Sequence, residues 1–227
     1  MIGEGKFQAN LATGFSLLDR VKLAAYRNYR PMVNQATTEL LRASGSYVEL
    51  YSRYLTLQAH DYLLDDGSFF FFRRNLADRT LLSYGYFESP YNGSSYTQFT
   101  TEFGEPEGSW EEYEEYCAQR SSKPHVLPLR YDWSPCLYRE GAHPASHLHM
   151  GHESELRLAV DAMLTPLQFV LLILRHFYVK VWETSACQLP DVVRAVGAIS
   201  DSDVVPDYRK GRDLLELRLL CVRSGIT

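Results

Sequence analysis

Four of the seven histidines fall within ten residues, in the run His143-Pro144-Ala145-Ser146-His147-Leu148-His149-Met150-Gly151-His152. In an extended segment, side chains two apart point to the same side. His147 and His149 then stand together, with Leu148 and Met150 on the other face. Two neighbouring imidazoles can work as an acid–base pair or hold a divalent metal, and the sequence spacing identifies no third ligand. Arg130 and Asp132 lie on the preceding candidate strand and Arg157 on the following one. Asp132 is placed to orient an imidazole through its second nitrogen, and either arginine to hold a phosphate or carboxylate. His, His, Arg and Asp together suit phosphodiester hydrolysis, in which a base takes a proton, an acid protonates the leaving oxygen and a cation offsets developing charge. The candidate site is therefore His147, His149, Arg130, Asp132, His143 and Arg157. Against it stands a plainer reading. H-x-H spacing is common, His143 and His152 read equally as turn residues, His176 as a half-buried structural histidine, and the arginines as partners of Asp132 and Glu155.

The elements that must position these residues follow from periodicity and punctuation. Residues 10–43 read as helix, split at Pro31, with the second part from Val33 to Ala43. From Tyr47 to Tyr54 the alternation is strand-like. Asp65-Asp66-Gly67 marks a hairpin between Tyr62-Leu63-Leu64 and the run Phe69 to Arg73, and Leu81 to Phe87 continues an antiparallel meander from residue 47 to residue 88. Residues 89–109 read as a loop with a short strand around Phe99 to Phe103. Trp110 to Arg120 is an acidic helix with Ser109 as N-cap. Val126 to Trp133 is a strand that Pro128 assigns to an edge or bulge. Glu155 to Val160 is another. A long apolar helix runs from 165 to 185, started by Thr165 as N-cap, Pro166 in the first turn, a capping box to Gln168 and a staple of Leu164 on Phe169. Residues 201–212 read as loop and Leu214 to Val222 as a last strand.

Composition narrows the function classes. A formal net charge of −5 makes the chain a poor non-specific ligand for a phosphate backbone. Cys117, Cys136, Cys187 and Cys221 form no C-x-x-C pair and fit no zinc ribbon. No basic region followed by an apolar stretch opens the chain, so free thiols and a cytoplasmic location are expected. The stretch from Leu164 to Trp182 carries Gln168, Arg175, His176 and Lys180, which fits a buried helix and no membrane span. The 16 tyrosines and 11 phenylalanines imply an aromatic core. They also leave open a partner surface made of Tyr84, Tyr86, Phe87, Tyr91 and Tyr96.

His147-Leu148-His149-Met150-Gly151 resembles the H-x-H-x-H signature of histidine-triad nucleotide hydrolases and transferases. That resemblance implies a nucleophilic role for His149, with Gly151 where the third histidine would stand and His152 one residue out of register. A wider pattern, Leu129-Arg130-Tyr131-Asp132 with the histidine run, Leu156-Arg157, Leu164-Thr165-Pro166, Phe169-Val170 and Arg175-His176-Phe177-Tyr178, resembles a bacterial family known only as a domain of unknown function. It implies no activity. Small proteins of that kind often belong to mobile-element, toxin or phage-defence loci.

The expectation is a single domain over 1–227 of α+β class, its mainly antiparallel sheet packed on N-terminal helices and on the helix near 165–185. The expected function is a histidine-dependent phosphodiester or nucleotide hydrolase, or a nuclease-type effector, with nucleic acid or a nucleotide as partner. The alternatives are a non-catalytic interaction subunit with a protein partner, and a metal-binding protein with a divalent ion on His147 and His149.

Overall fold

The computed structural model describes residues 2–31, 33–75, 81–104, 110–139, 142–190 and 192. Among them, seven strands form one sheet in chain order, every neighbouring pair antiparallel: β1 (Ala24–Arg27), β2 (Tyr62–Leu64), β3 (Phe69–Arg74), β4 (Leu82–Phe87), β5 (Leu129–Trp133), β6 (Ser146–Met150) and β7 (Arg157–Ala159). The helices are α1 (Glu4–Arg20), α2 (Gln35–Arg42), α3 (Tyr47–Thr56), α4 (Tyr96–Phe103), α5 (Glu111–Ala118), α6 (Pro166–Phe177) and α7 (Val179–Thr184). The α+β class stands. The expected loop and strand over 201–222, and Cys221, lie outside the described residues.

Helices cover both faces of the sheet, and this explains the run Phe69-Phe70-Phe71-Phe72. Successive strand residues point to opposite sides, and all four are buried. Phe70 and Phe72 join Tyr84, Tyr86, Tyr131 and Leu148 in a core closed by Phe7, Leu11 and Leu18 of α1 and Phe169, Val170 and Leu174 of α6. Phe69 and Phe71 join Phe87 in a second core with Tyr51 and Leu55 of α3, Phe99 of α4 and Tyr113 of α5. Phe69 and Phe87 stack at 5.2 Å between ring centroids, directly opposite each other in register. Pairs of this kind add about 0.5–1.5 kcal/mol beyond the area they bury.

Several sequence expectations are corrected. The segment read as helix over 10–43 holds α1, β1 and α2. Lys22, at φ 58°, takes the left-handed position that ends α1, and the Leu23 amide closes onto the Leu18 carbonyl. Tyr47 to Tyr54 is helix α3 and not a strand. The Ser46 hydroxyl accepts from the Glu49 amide, and Tyr47, Tyr51 and Leu55 bury one face at four-residue spacing. Phe99 to Phe103 lies in helix α4, capped by Ser95, whose hydroxyl accepts from the Gln98 amide. Trp110, and not Ser109, takes the cap position of α5; Ser109 lies outside the described residues. β5 is interior, flanked by β4 and β6; Pro128 sits one residue ahead of it, its carbonyl accepting from the Gly151 amide. The long helix breaks at Tyr178, at φ −118° and ψ 49°. Tyr178 leaves the helical path to donate its hydroxyl to Asp66 Oδ2 at 2.8 Å, with the Tyr86 hydroxyl 3.1 Å away.

The start of α6 forms as the sequence implies. Thr165 and Gln168 exchange both capping-box hydrogen bonds, with Pro166 in the first turn. Leu164 and Phe169 are buried in one core. A side-chain chain ties this end to the sheet. The Leu164 amide donates to the Tyr131 hydroxyl, that hydroxyl lies 3.0 Å from Ser146 Oγ, and Ser146 donates to the Ala162 carbonyl. The Tyr131 and Ser146 hydroxyls, both buried, are thereby satisfied.

Two outcomes follow for stability. A Cβ on Gly85 would lie 2.1 Å from Cε1 of Phe71, because the ring covers the glycine backbone. Gly85→Ala is expected to cost about 1–3 kcal/mol. Thermal unfolding checks this, and adding Phe71→Leu should recover part of the loss. The second outcome concerns His60, which is fully buried against Trp110 and Phe69. Burial holds its imidazole down at about 4, and the Tyr54 carbonyl offsets part of that effect. A histidine whose folded value is depressed takes up a proton first in the unfolded chain. Its contribution to stability is complete above about pH 6.5 and is lost as pH falls towards 4, by about 1.4 kcal/mol per pH unit. His60→Phe should flatten that part of the acid-unfolding profile; an unchanged slope would contradict it.

Candidate functional site

The sheet register builds the site from four strands. One cross-strand row reads Arg73, Ser83, Asp132, His147, Ala159, and the next reads Phe71, Gly85, Arg130, His149, Arg157. These rows lie on the α3–α5 face, where the aromatic packing ends at Phe71. Beyond it every side chain on β5 and β6 facing this way is polar. The opposite face of the same strands carries Leu129, Tyr131 and Leu148 in the core.

His147 and His149 do share a face. Their Nε2 atoms are 3.1 Å apart, with the rings tilted by 67°. His149 Nε2 is also 3.2 Å from Asp132 Oδ2. Asp132 is held from two more sides: Ser83 Oγ donates to its Oδ1 at 2.7 Å, and Arg130 Nε donates to its Oδ2 at 3.0 Å. His147 Nδ1 is 2.9 Å from the Pro144 carbonyl oxygen. That oxygen only accepts, so Nδ1 carries the proton and the lone pair of the neutral ring sits on Nε2.

The electrostatics agree with this arrangement. Burial, helped by the neighbouring His149, holds His147 at about 4, against the opposing pull of Asp132 and the Pro144 carbonyl. Burial alone would raise Asp132. The His149 hydrogen bond, the Arg130 guanidinium and the Ser83 hydroxyl outweigh it and keep the carboxylate at about 2. At neutral pH the cluster is thus a carboxylate and a neutral His147, joined through the Nε2 of His149.

Asp132, His147 and His149 each offer one donor atom, all within 4.8 Å of one another, and form the group among the described residues that could hold a metal. Asp132 is the third ligand that sequence spacing could not identify; the register that sets it opposite His147 is long-range information. His143 stands beside the cluster, its ring 5.0 Å from that of His147 and its Nδ1 buried without a hydrogen bond. Paired backbone hydrogen bonds between Arg139 and His143 hold it there. Arg157 is exposed, on the far side of His149 from Arg130. Ser83 was missed, and its only sequence signal was its place in the alternation of β4. His147 is 1 % exposed and His149 9 %, so access comes from the His149 side, between the two exposed arginines. His152 is a turn residue against Tyr47, and His176 is exposed rather than half-buried. The tyrosines proposed as a partner surface, Tyr84, Tyr86, Tyr91 and Tyr96, are buried with Phe87. No described helix is long and apolar enough to cross a membrane.

The sequence profile of a family described as an uncharacterized conserved protein, DUF2290, matches residues 24–206. No curated protein and no solved structure matches the chain. The matched span takes in every candidate residue.

The tautomer of His147 is directly measurable. Long-range ¹⁵N–¹H spectra of labelled protein should show His147 neutral and protonated on Nδ1 from pH 7 down to about pH 5, below the ordinary titration range of histidine. A proton on Nε2, or full protonation by pH 6, would contradict the geometry.

Proposed function

The chain belongs to the DUF2290 family, and from that starting point we propose that it hydrolyses phosphate esters, with phosphodiesters of nucleotides or nucleic acid as the substrate class. The observation that carries this reading is the row Arg130, His149, Arg157, in which an imidazole tied to Asp132 and His147 is flanked by two exposed guanidiniums. Neighbouring strands lie about 4.8 Å apart, so the arginine backbones are about 10 Å apart across His149. Two long side chains over that span can grip one phosphate group from both sides. The cluster beneath supplies the group that activates water, and the arginines offset the charge that develops on the phosphoryl oxygens.

The net charge of −5 favours a local and short contact with the phosphate over a long electrostatic track. An interaction subunit is less well supported, because the aromatic residues that motivated it fill the two cores.

The purified chain should cleave bis(p-nitrophenyl) phosphate or short single-stranded RNA or DNA. His149→Ala should lower kcat/KM by about 10²–10⁴. Arg157→Ala should act mainly on KM, with the fold intact by circular dichroism. Turnover that survives His149→Ala, or no cleavage across the three substrate types with divalent ions supplied, would overturn the reading.

A further inference from the structure

We infer that Asp132, His147 and His149 bind one divalent transition-metal ion, and that this ion activates the water in the hydrolysis proposed above; only the second clause rests on that functional reading.

Geometry is the first argument. Two imidazole nitrogens on one tetrahedral ion, at about 2.0–2.1 Å each, sit about 3.3–3.4 Å apart. The two Nε2 atoms are 3.1 Å apart, and the carboxylate oxygen is 3.2 Å from His149 Nε2. Two of the three donor separations are thus within a few tenths of an ångström of those around a single centre, and all three donors lie within 4.8 Å of one another.

The surroundings are the second argument. Metal-bound histidines commonly donate their other nitrogen to a carbonyl, which points the lone pair at the ion, and metal-bound carboxylates commonly accept a further hydrogen bond. Both features are built in. The Pro144 carbonyl takes the Nδ1 proton of His147, and Ser83 holds Asp132 Oδ1, leaving Oδ2 turned to the cluster. Arg130 Nε also donates to Oδ2, so this oxygen carries a guanidinium contact beside its place in the cluster.

Proton accounting is the third. His147 Nε2 and Asp132 Oδ2 are both acceptors, and His149 Nε2 faces both of them. One proton on His149 Nε2 serves one acceptor at a time, and when it serves Oδ2, which Arg130 Nε also reaches, His147 Nε2 is left without a donor in a buried place. A single cation takes all three lone pairs at once.

Donor chemistry sets the metal class. Two imidazoles and one carboxylate favour zinc, manganese or iron(II) over magnesium or calcium. Three protein ligands leave at least one position open for water. An ion there lowers the pKa of its bound water. The water oxygen forms the new P–O bond, the ester P–O bond breaks, and the departing alkoxide takes up the proton that the water released. No electron changes hands.

The test uses the full chain stripped with a chelator and titrated with Zn²⁺, Mn²⁺ and Co²⁺. The expected result is one ion per chain by elemental analysis and a melting temperature raised by about 5–10 °C at roughly 100 times Kd. Visible Co²⁺ bands should indicate nitrogen and oxygen ligands without a thiolate band. Asp132→Asn and His147→Gln should each weaken binding at least about 10–100-fold, while Arg157→Ala leaves it unchanged within twofold. Metal-free melting curves of each variant separate lost binding from lost folding. Stoichiometric binding without phosphoester cleavage would keep the metal site and remove the hydrolase. Cleavage by metal-free protein, with no ion bound at millimolar supply, would keep the hydrolase and remove the metal site. Binding unaffected by either ligand substitution would remove this site whatever the activity.

Discussion

Antiparallel register is the constraint on which the rest of this structure depends. Asp132 stands opposite His147 and Arg130 opposite His149 because β5 and β6 pair at Tyr131↔Leu148 between them. A slip of one residue would turn every side chain of a strand to the other face. Leu148 would leave the core that holds Phe169 and Tyr84, and two imidazoles would enter it. The hydrophobic effect on one face thus fixes the polar geometry on the other. The Tyr131, Ser146 and Leu164 hydrogen bonds tie the same register to the start of α6, so the helix and the site share one anchor.

The boundary between packing and chemistry is as sharp as a single side chain. Phe71 lies flat over Gly85, which fills the place where β4 would otherwise project a residue towards Arg130. On one side of that ring are Tyr54, Phe69 and Phe87; on its own strand Arg73 lies against it, 5.4 Å from the ring centroid. Arg73 is spent on Asp61 and the Phe72 and Ala59 carbonyls, so it closes the β2–β3 end of the sheet. Arg130 and Arg157 are the cations that flank His149 across the sheet.

What the sequence made legible was local. The i, i+2 spacing of His147 and His149, the capping box of Thr165 and Gln168, and the Asp65-Asp66-Gly67 turn each depend on a few neighbouring residues, and each formed as read. The misreadings share a cause. Tyr47 to Tyr54 alternates in residue type, yet Ser46 and Glu49 are a helix-start signal, and burial at Tyr47, Tyr51 and Leu55 follows the helical period. Tyr178 ends α6 without a proline or glycine, through a hydrogen bond to a residue more than a hundred positions away. Asp132 and Ser83 join the site by pairing between strands, which no window along the chain contains.

The energetics argue that the cluster is not there for the fold. Burying a carboxylate and two imidazoles costs free energy that their mutual contacts only partly return, and well-packed apolar side chains in such places are often neutral or stabilising. The register does not need them, because Leu129, Tyr131 and Leu148 already specify it from the other side. Their hydrogen bonds join them chiefly to one another and to the Ser83, Arg130 and Pro144 atoms that orient them, and to no helix. A group held neutral or ionised by its surroundings, oriented from behind and flanked by two guanidiniums is the kind of arrangement on which the proposed ligand chemistry rests. The aromatic cores carry the stability that lets this part of the sheet face stay polar.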